Sequence, residues 1–246
     1  MVSCDGITQP EPVDPLADLK RRLAQSPREN EEAELMALWL SGEIVAPETL
    51  YVQIRDALTR LRDVFADSVH CLDSISYRHT HHVSHVTLAM TDDAIESIRQ
   101  GAYHDWDSLN TLYRVTSIDT SMFDREYLRS ATLRFEGRLN PVILGEYYEQ
   151  LKGVALVSLW DNYLGDGPNL YPWMSESGFT FLLRNTWNCW PTGCPEGHFW
   201  YFKEINQQPV LVGDYLFDSE SGRPDWWAEA NDSYCAWWFG GGFCGT

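Results

Sequence analysis

The chain lacks any apolar run near the roughly twenty residues that a bilayer-spanning helix requires, so no transmembrane segment is expected. It is also poor in positive charge: 18 Lys and Arg stand against 36 Asp and Glu, a formal charge of −18 over 246 residues. A field of that sign repels phosphate backbones and anionic lipid headgroups. Nucleic acid is therefore a poor partner, and a membrane is reached only through a lipid anchor. No Gly-x-Ser-x-Gly elbow, His-Glu-x-x-His pair or P-loop occurs. None of the six cysteines has Cys-x-x-Cys spacing, which removes the zinc-ribbon and thioredoxin-like readings.

What is present is a globular composition, 44% hydrophobic and 22% charged, long enough for one large or two small cores. Aromatics are abundant, with 11 Trp, 12 Tyr and 10 Phe. Trp187, Trp190, Trp200, Trp226, Trp227, Trp237 and Trp238 crowd the C-terminal end. They serve either a dense core or an exposed platform that stacks sugars or peptides. Cys189 and Cys194 bracket Trp190-Pro191-Thr192-Gly193, and Cys235 and Cys244 bracket a segment containing Gly240 to Gly242. Such Pro- and Gly-bearing loops close tightly, so two local disulfides and an oxidising, extracytoplasmic location are expected. Met1-Val2-Ser3-Cys4, followed by a polar Pro-rich stretch, looks like the end of a bacterial lipoprotein signal in which Cys4 carries lipid. Cys71 is then left over, and is expected to be buried and unbonded.

Residues 1–13 read as a flexible lead or tether, and 14–246 as one α+β domain that is helical over 14–66, mixed over 67–152 and β-rich over 153–246. Pro15 to Ala24 and Glu31 to Leu40 have helical character. Leu50, Ile54, Leu58, Leu61 and Phe65 form one stripe of an amphipathic helix. Val83, Val86, Leu88 and Met90 suggest a strand, Thr91 caps a helix ending before Gly101, and Trp106 to Tyr113 is a further short helix. Ala131 to Phe135 alternates as a strand, and Asn140-Pro141 opens another helix. Beyond Gly153 the runs Val154–Trp160, Phe179–Leu183, His198–Lys203 and Val210–Leu216 are strand-like, which predicts an antiparallel, disulfide-stapled C-terminal half.

From Gly178 to Phe202 the chain carries Phe179-Thr180-Phe181, Trp187, Cys189, Pro191, Gly193-Cys194, His198 and Trp200-Tyr201-Phe202. This run resembles a segment of uncharacterised exported bacterial proteins, in which a strand leads to Trp-Gly-Asp-Cys-Pro-x-Gly-Cys, then a His and an aromatic strand. The resemblance covers roughly residues 45–215, including Leu133-Arg134-Phe135 and Gly165-Asp166-Gly167. It departs at Asn188-Cys189-Trp190-Pro191, which places one more residue between the cysteines. It implies a location and a style of fold, not a reaction.

His79, His81, His82 and His85 form the densest cluster of metal-ligating side chains. On an extended segment His79, His81 and His85 share one face, but they splay over about 20 Å unless the strand bends. Asp161, Asn162, Asp166 and Asn169 surround two glycines, the chemistry of a calcium loop and equally of a tight turn. No cofactor is expected, with calcium or a transition metal as the alternative. The function expected is non-catalytic binding of a protein, peptide or glycan through an aromatic and acidic surface built on Trp187, His198, Trp200, Asp161 and Asp166. The alternative is an extracytoplasmic hydrolase that uses His198 with an acid such as Asp166, or a metal held by the histidines.

Overall fold

The computed structural model describes residues 15–73, 83–120, 129–158, 167–188, 196–217 and 222–231. Three helices come first: α1 (Pro15–Gln25), α2 (Glu31–Ser41) and α3 (Glu48–Phe65). The predicted stripe of α3 is real: Ile54, Leu58 and Leu61 are buried, with Leu50 and Phe65 half-buried at its ends. In α2 the Asn30 side chain accepts from the Ala33 N–H, an N-cap, and the chain leaves through Gly42 at φ 62°, where a side chain would be strained. Residues Ala33 to Leu38 are all buried, the signature of a helix enclosed on every side.

Two antiparallel sheets follow. The first has the order β2-β3-β1-β4, from β1 (His85–Met90), β2 (Val115–Asp119), β3 (Arg129–Phe135) and β4 (Val154–Ser158). Its apolar face, Val86, Leu88, Met90, Ala131 and Leu133, packs with Leu23 of α1 and with α4 (Asp92–Arg99) and α6 (Pro141–Tyr148). Thr91 and Asn140 cap those two helices as expected, and α5 (Asp107–Leu112) lies between α4 and β2. The second sheet runs β5-β6-β7-β8 as a meander of β5 (Gly167–Ser175), β6 (Gly178–Trp187), β7 (Glu196–Ile205) and β8 (Gln208–Phe217). The α+β class is as the sequence indicates, with helices mostly early and strands late. Three details differ from expectation. β2 and β5 carry no alternating apolar signal, and β5 holds Pro168 and Pro172, which an edge strand tolerates because it has a row of N–H positions with no ladder partner. Residues 227–231 form a short helical turn within the β-rich half.

The second sheet is covered on both faces by different material. Phe179, Phe181, Leu183 and Phe202 pack under α2 and α3, with Phe65 and Phe202 ring centroids 5.2 Å apart. On the other face Leu182, Phe199, Tyr201 and Tyr215 meet Trp226, Trp227 and Ala230. Trp226 lies so close over Gly213 that a Cβ there would come within 2.6 Å of the indole nitrogen, so the glycine is what admits the ring. Much of the aromatic content is thus core, as the commoner reading of such residues has it.

Buried ionic ties join the layers. Glu34 of α2 is fully buried; its carboxylate accepts from Arg138 Nη1 at 2.7 Å and from the Arg28 N–H at 2.9 Å. Arg138 follows β3, so this contact links the helices of the second sheet to the first. Ser26 Oγ accepts from the Arg138 N–H at 2.8 Å and donates to its carbonyl at 3.2 Å. Glu204 of β7, buried, takes both Nε (3.1 Å) and Nη2 (2.6 Å) of Arg60 on α3, and its second oxygen accepts from the Phe179 N–H at 3.1 Å. Cys71 is half-buried beside α2 and α3, less enclosed than expected because it lies in a single 3₁₀ turn at the core's margin. Burial raises its thiol pKa.

Breaking the Arg60–Glu204 tie from its two ends should cost different amounts. Arg60→Met strands a buried carboxylate and should cost about 3 kcal/mol in urea unfolding, whereas Glu204→Gln keeps an acceptor for Phe179 and frees an arginine that reaches water, costing about 1 kcal/mol. Equal costs would contradict the assigned burial. A second expectation concerns alkali. Burial pushes Tyr103 and Tyr113 to about 12 and also raises Tyr148; Tyr201 is raised by burial and by donating to Glu229 at 2.7 Å. A folded pKa above the unfolded value gives stability that is complete below about pH 10 and is lost as pH rises through the folded values. Ionisation of these four, read as the tyrosinate absorbance that a Tyr→Phe change at each removes, should therefore come with loss of near-ultraviolet dichroism above about pH 10; their ionisation in an intact fold would contradict it.

Candidate functional site

The helices α2 and α3 cover only part of their face of the second sheet. In the register of β6, β7 and β8, Asn185 lies opposite His198, Trp187 opposite Glu196, Leu183 opposite Trp200, Trp200 opposite Asp214 and His198 opposite Leu216. Residues directly opposite in an antiparallel pair share a face. Phe179, Phe181 and Leu183 lie beneath the helices, and the same alternation then carries the strands past them, bringing Asn185, Trp187, Glu196, His198, Asp214 and Leu216 onto a strip that α2 and α3 do not cover. Trp200 stands at the boundary, packed against the helix-covered core on one side.

Within the strip His198 Nε2 lies 2.7 Å from Asp214 Oδ2, and the imidazole stacks on Trp200 with ring centroids 3.7 Å apart. The imidazole is 28% exposed and the Asp214 carboxylate 56%, so both reach solvent. The Trp187 indole N–H donates to Glu196, whose same oxygen accepts from Asn188 Nδ2 at 3.2 Å. The arrangement offers aromatic faces, two carboxylates and an imidazole on a rigid sheet. It can stack a planar or apolar group and hold a donor or a cation beside it.

Three of the residues singled out by sequence, Trp187, His198 and Trp200, are therefore brought together. Asp161 and Asp166 lie outside the described residues, as do His79, His81, Cys4, Cys189, Cys194, Cys235 and Cys244. Asn169, read with them as part of one loop, is instead buried within β5 opposite Arg184. His85 begins β1, half-buried, on the face that carries Thr87 and Thr132, whose hydroxyls lie 3.0 Å apart. Among the described residues no group of three His, Cys, Asp or Glu side chains is placed to hold a metal ion. His104 is occupied elsewhere, at 2.8 Å from Asp107. Asp214 and Glu196 were not legible in advance: a cross-strand partner depends on register, and an isolated acid among 36 gives no signal.

Away from the strip, a concavity of about 670 Å³ is lined by Glu29, Asn30, Glu31, Tyr51 and Arg55 among others. Its charges serve the fold. Glu31 lies 3.3 Å from Arg138, Arg55 pairs with Asp56 at 2.8 Å, and Asn30 caps α2. It offers a ligand little.

The stack makes a spectroscopic prediction. Removing the ring in contact with Trp200 by His198→Ala should change the tryptophan emission, while costing less than about 1 kcal/mol because the His198–Asp214 pair is solvent-exposed. An unchanged spectrum would contradict the stack. No known protein family, curated protein or solved structure matches the chain.

Proposed function

We propose that this is an extracytoplasmic, non-catalytic binding protein, secreted or tethered through a lipid on Cys4, that engages its ligand with the uncovered strip of the second sheet. The observation that carries this reading is the strip itself: Trp187, His198 and Trp200 stand with Glu196 and Asp214 on one face of paired strands, beyond the residues that pack under α2 and α3. Side chains set side by side at successive register positions suit an extended ligand better than they suit chemistry, which needs groups that converge in a water-excluding cleft. The His198–Asp214 contact gives a hydrolase its imidazole and acid, and is the specific feature favouring that alternative. Among the described residues no hydroxyl or thiol is hydrogen-bonded to that imidazole as a nucleophile would be. The two cysteine-bracketed loops support export. The acidity of the chain favours a cationic ligand over an anionic one.

Peptide and oligosaccharide arrays probed with the whole chain test the assignment. A ligand class retained by the wild type should be weakened about tenfold or more by Trp187→Ala and by His198→Ala, as at an aromatic hot spot. Binding untouched by either substitution would contradict the site. Turnover of an ester, amide or glycoside library that His198→Ala abolishes would favour the hydrolase instead.

A further inference from the structure

The order β5-β6-β7-β8 leaves two edges, and they are built differently. On β5, Pro168 and Pro172 lack the N–H that a neighbouring strand would use. On β8 the only proline is Pro209, at the second position, so every residue beyond it keeps its backbone N–H. Among the described residues β8 pairs with β7 and with no other strand. Val210, Leu211, Val212 and Leu216 are 40%, 36%, 42% and 49% exposed. An irregularity opposite Tyr201 and Phe202 breaks the alternation here, so three aliphatic residues in succession reach solvent. Sheet edges are ordinarily blunted by lysine, proline or an inward-turned charge. The sole charged side chain on β8 is Asp214, which faces the strip already described.

We infer that β8 is a docking edge, and that its occupant is an extended polypeptide of positive charge that adds a fifth strand to the second sheet. This rests on the reading of the strip as the binding surface and names its ligand class. Strand addition satisfies the backbone row, and alternate side chains of the incoming strand fall on the strip face beside Asp214 and Leu216. The Asp214 carboxylate is more than half exposed and spends one oxygen on His198, which leaves acceptor capacity for a lysine or arginine. Exposed Leu216 flanks that position, so the pattern recognised is a basic residue with an aliphatic one two places along. A second copy of the chain pairing through β8 would bring two molecules of charge −18 together; a basic partner is attracted by the same field.

The test uses the whole chain and a ten-residue peptide alternating lysine and valine, matched to β8 in length, with calorimetry and amide hydrogen exchange as readouts. The peptide should bind, slow exchange along β8 and weaken at about 0.5 M salt. N-methylation of alternate peptide nitrogens, which keeps the side chains but removes donors, should weaken binding about tenfold or more. The exposed double variant Val210→Glu with Val212→Glu sets two more carboxylates beside the incoming lysines and should bind the peptide at least as tightly as the wild type; weaker binding would overturn the positive charge assigned to the occupant. Binding lost in Trp187→Ala and His198→Ala but unchanged by N-methylation would keep the strip as the surface and overturn strand addition. A wild type that ignores the peptide but dimerises in sedimentation, and is made monomeric by the double glutamate variant, would assign the edge to a second copy and overturn the inference as well.

Discussion

The carboxylate of Glu34 has no access to water, and everything that neutralises it comes from a different part of the chain. The helix that carries it packs on the second sheet, the guanidinium of Arg138 leaves the end of the first, and the Arg28 N–H comes from the link between α1 and α2. A buried carboxylate without a partner costs several kcal/mol, so the end of the first sheet cannot shift away from α2 without stranding a charge. The tie is reinforced at its margin, where the backbone of Arg138 exchanges two hydrogen bonds with Ser26 and where the Asn140 N–H donates to the Ile44 carbonyl at 3.0 Å. A core of aliphatic contacts would hold these layers together but not fix their relative position, because such contacts are not directional.

That position decides what the second sheet exposes. With α2 held at one end, α3 lies across Phe179, Phe181 and Phe202 and is pinned to β7 by Arg60 and Glu204. The helices then run out while the strands continue, and the same alternation that supplied phenylalanines to the core delivers Trp187, His198 and Asp214 to solvent. The opposite face does not share this property, since the segment bearing Trp226 and Trp227 closes over it. There Glu229 accepts from Lys203 at 2.9 Å and from Tyr201 at 2.7 Å, and these two bonds lower the pKa of its carboxylate. The face that carries Trp187 and His198 and the face under Trp226 and Trp227 thus differ in what covers them, not in how aromatic they are.

Much of this was legible in sequence where the signal is local. The α3 stripe, the Thr91 and Asn140 caps and the glycine after α4 are each set by residues within one or two turns of one another. The strands β6, β7 and β8 announced themselves by apolar, β-branched and aromatic runs, and three of the site residues stood out as two tryptophans near a histidine. What stayed hidden depends on pairing. β5 looked like a turn because its prolines and polar start describe an edge strand equally well, and Asp214 became a partner of His198 only through a register that no short stretch encodes. Glu34 reads as one more acid in an acidic helix start, Glu31-Glu32-Ala33-Glu34, and only the fold distinguishes it from exposed Glu31 and half-buried Glu32.

The most direct test of the account is a double-mutant cycle on that carboxylate, using Glu34→Ala, Arg138→Ala and the pair in urea unfolding. The account predicts that each single change destabilises the fold by about 3 kcal/mol and that the double variant loses far less than their sum, giving a coupling of about 2 kcal/mol. Additivity within about 0.5 kcal/mol would mean that the two side chains act independently and that something other than this buried pair holds the sheets in place.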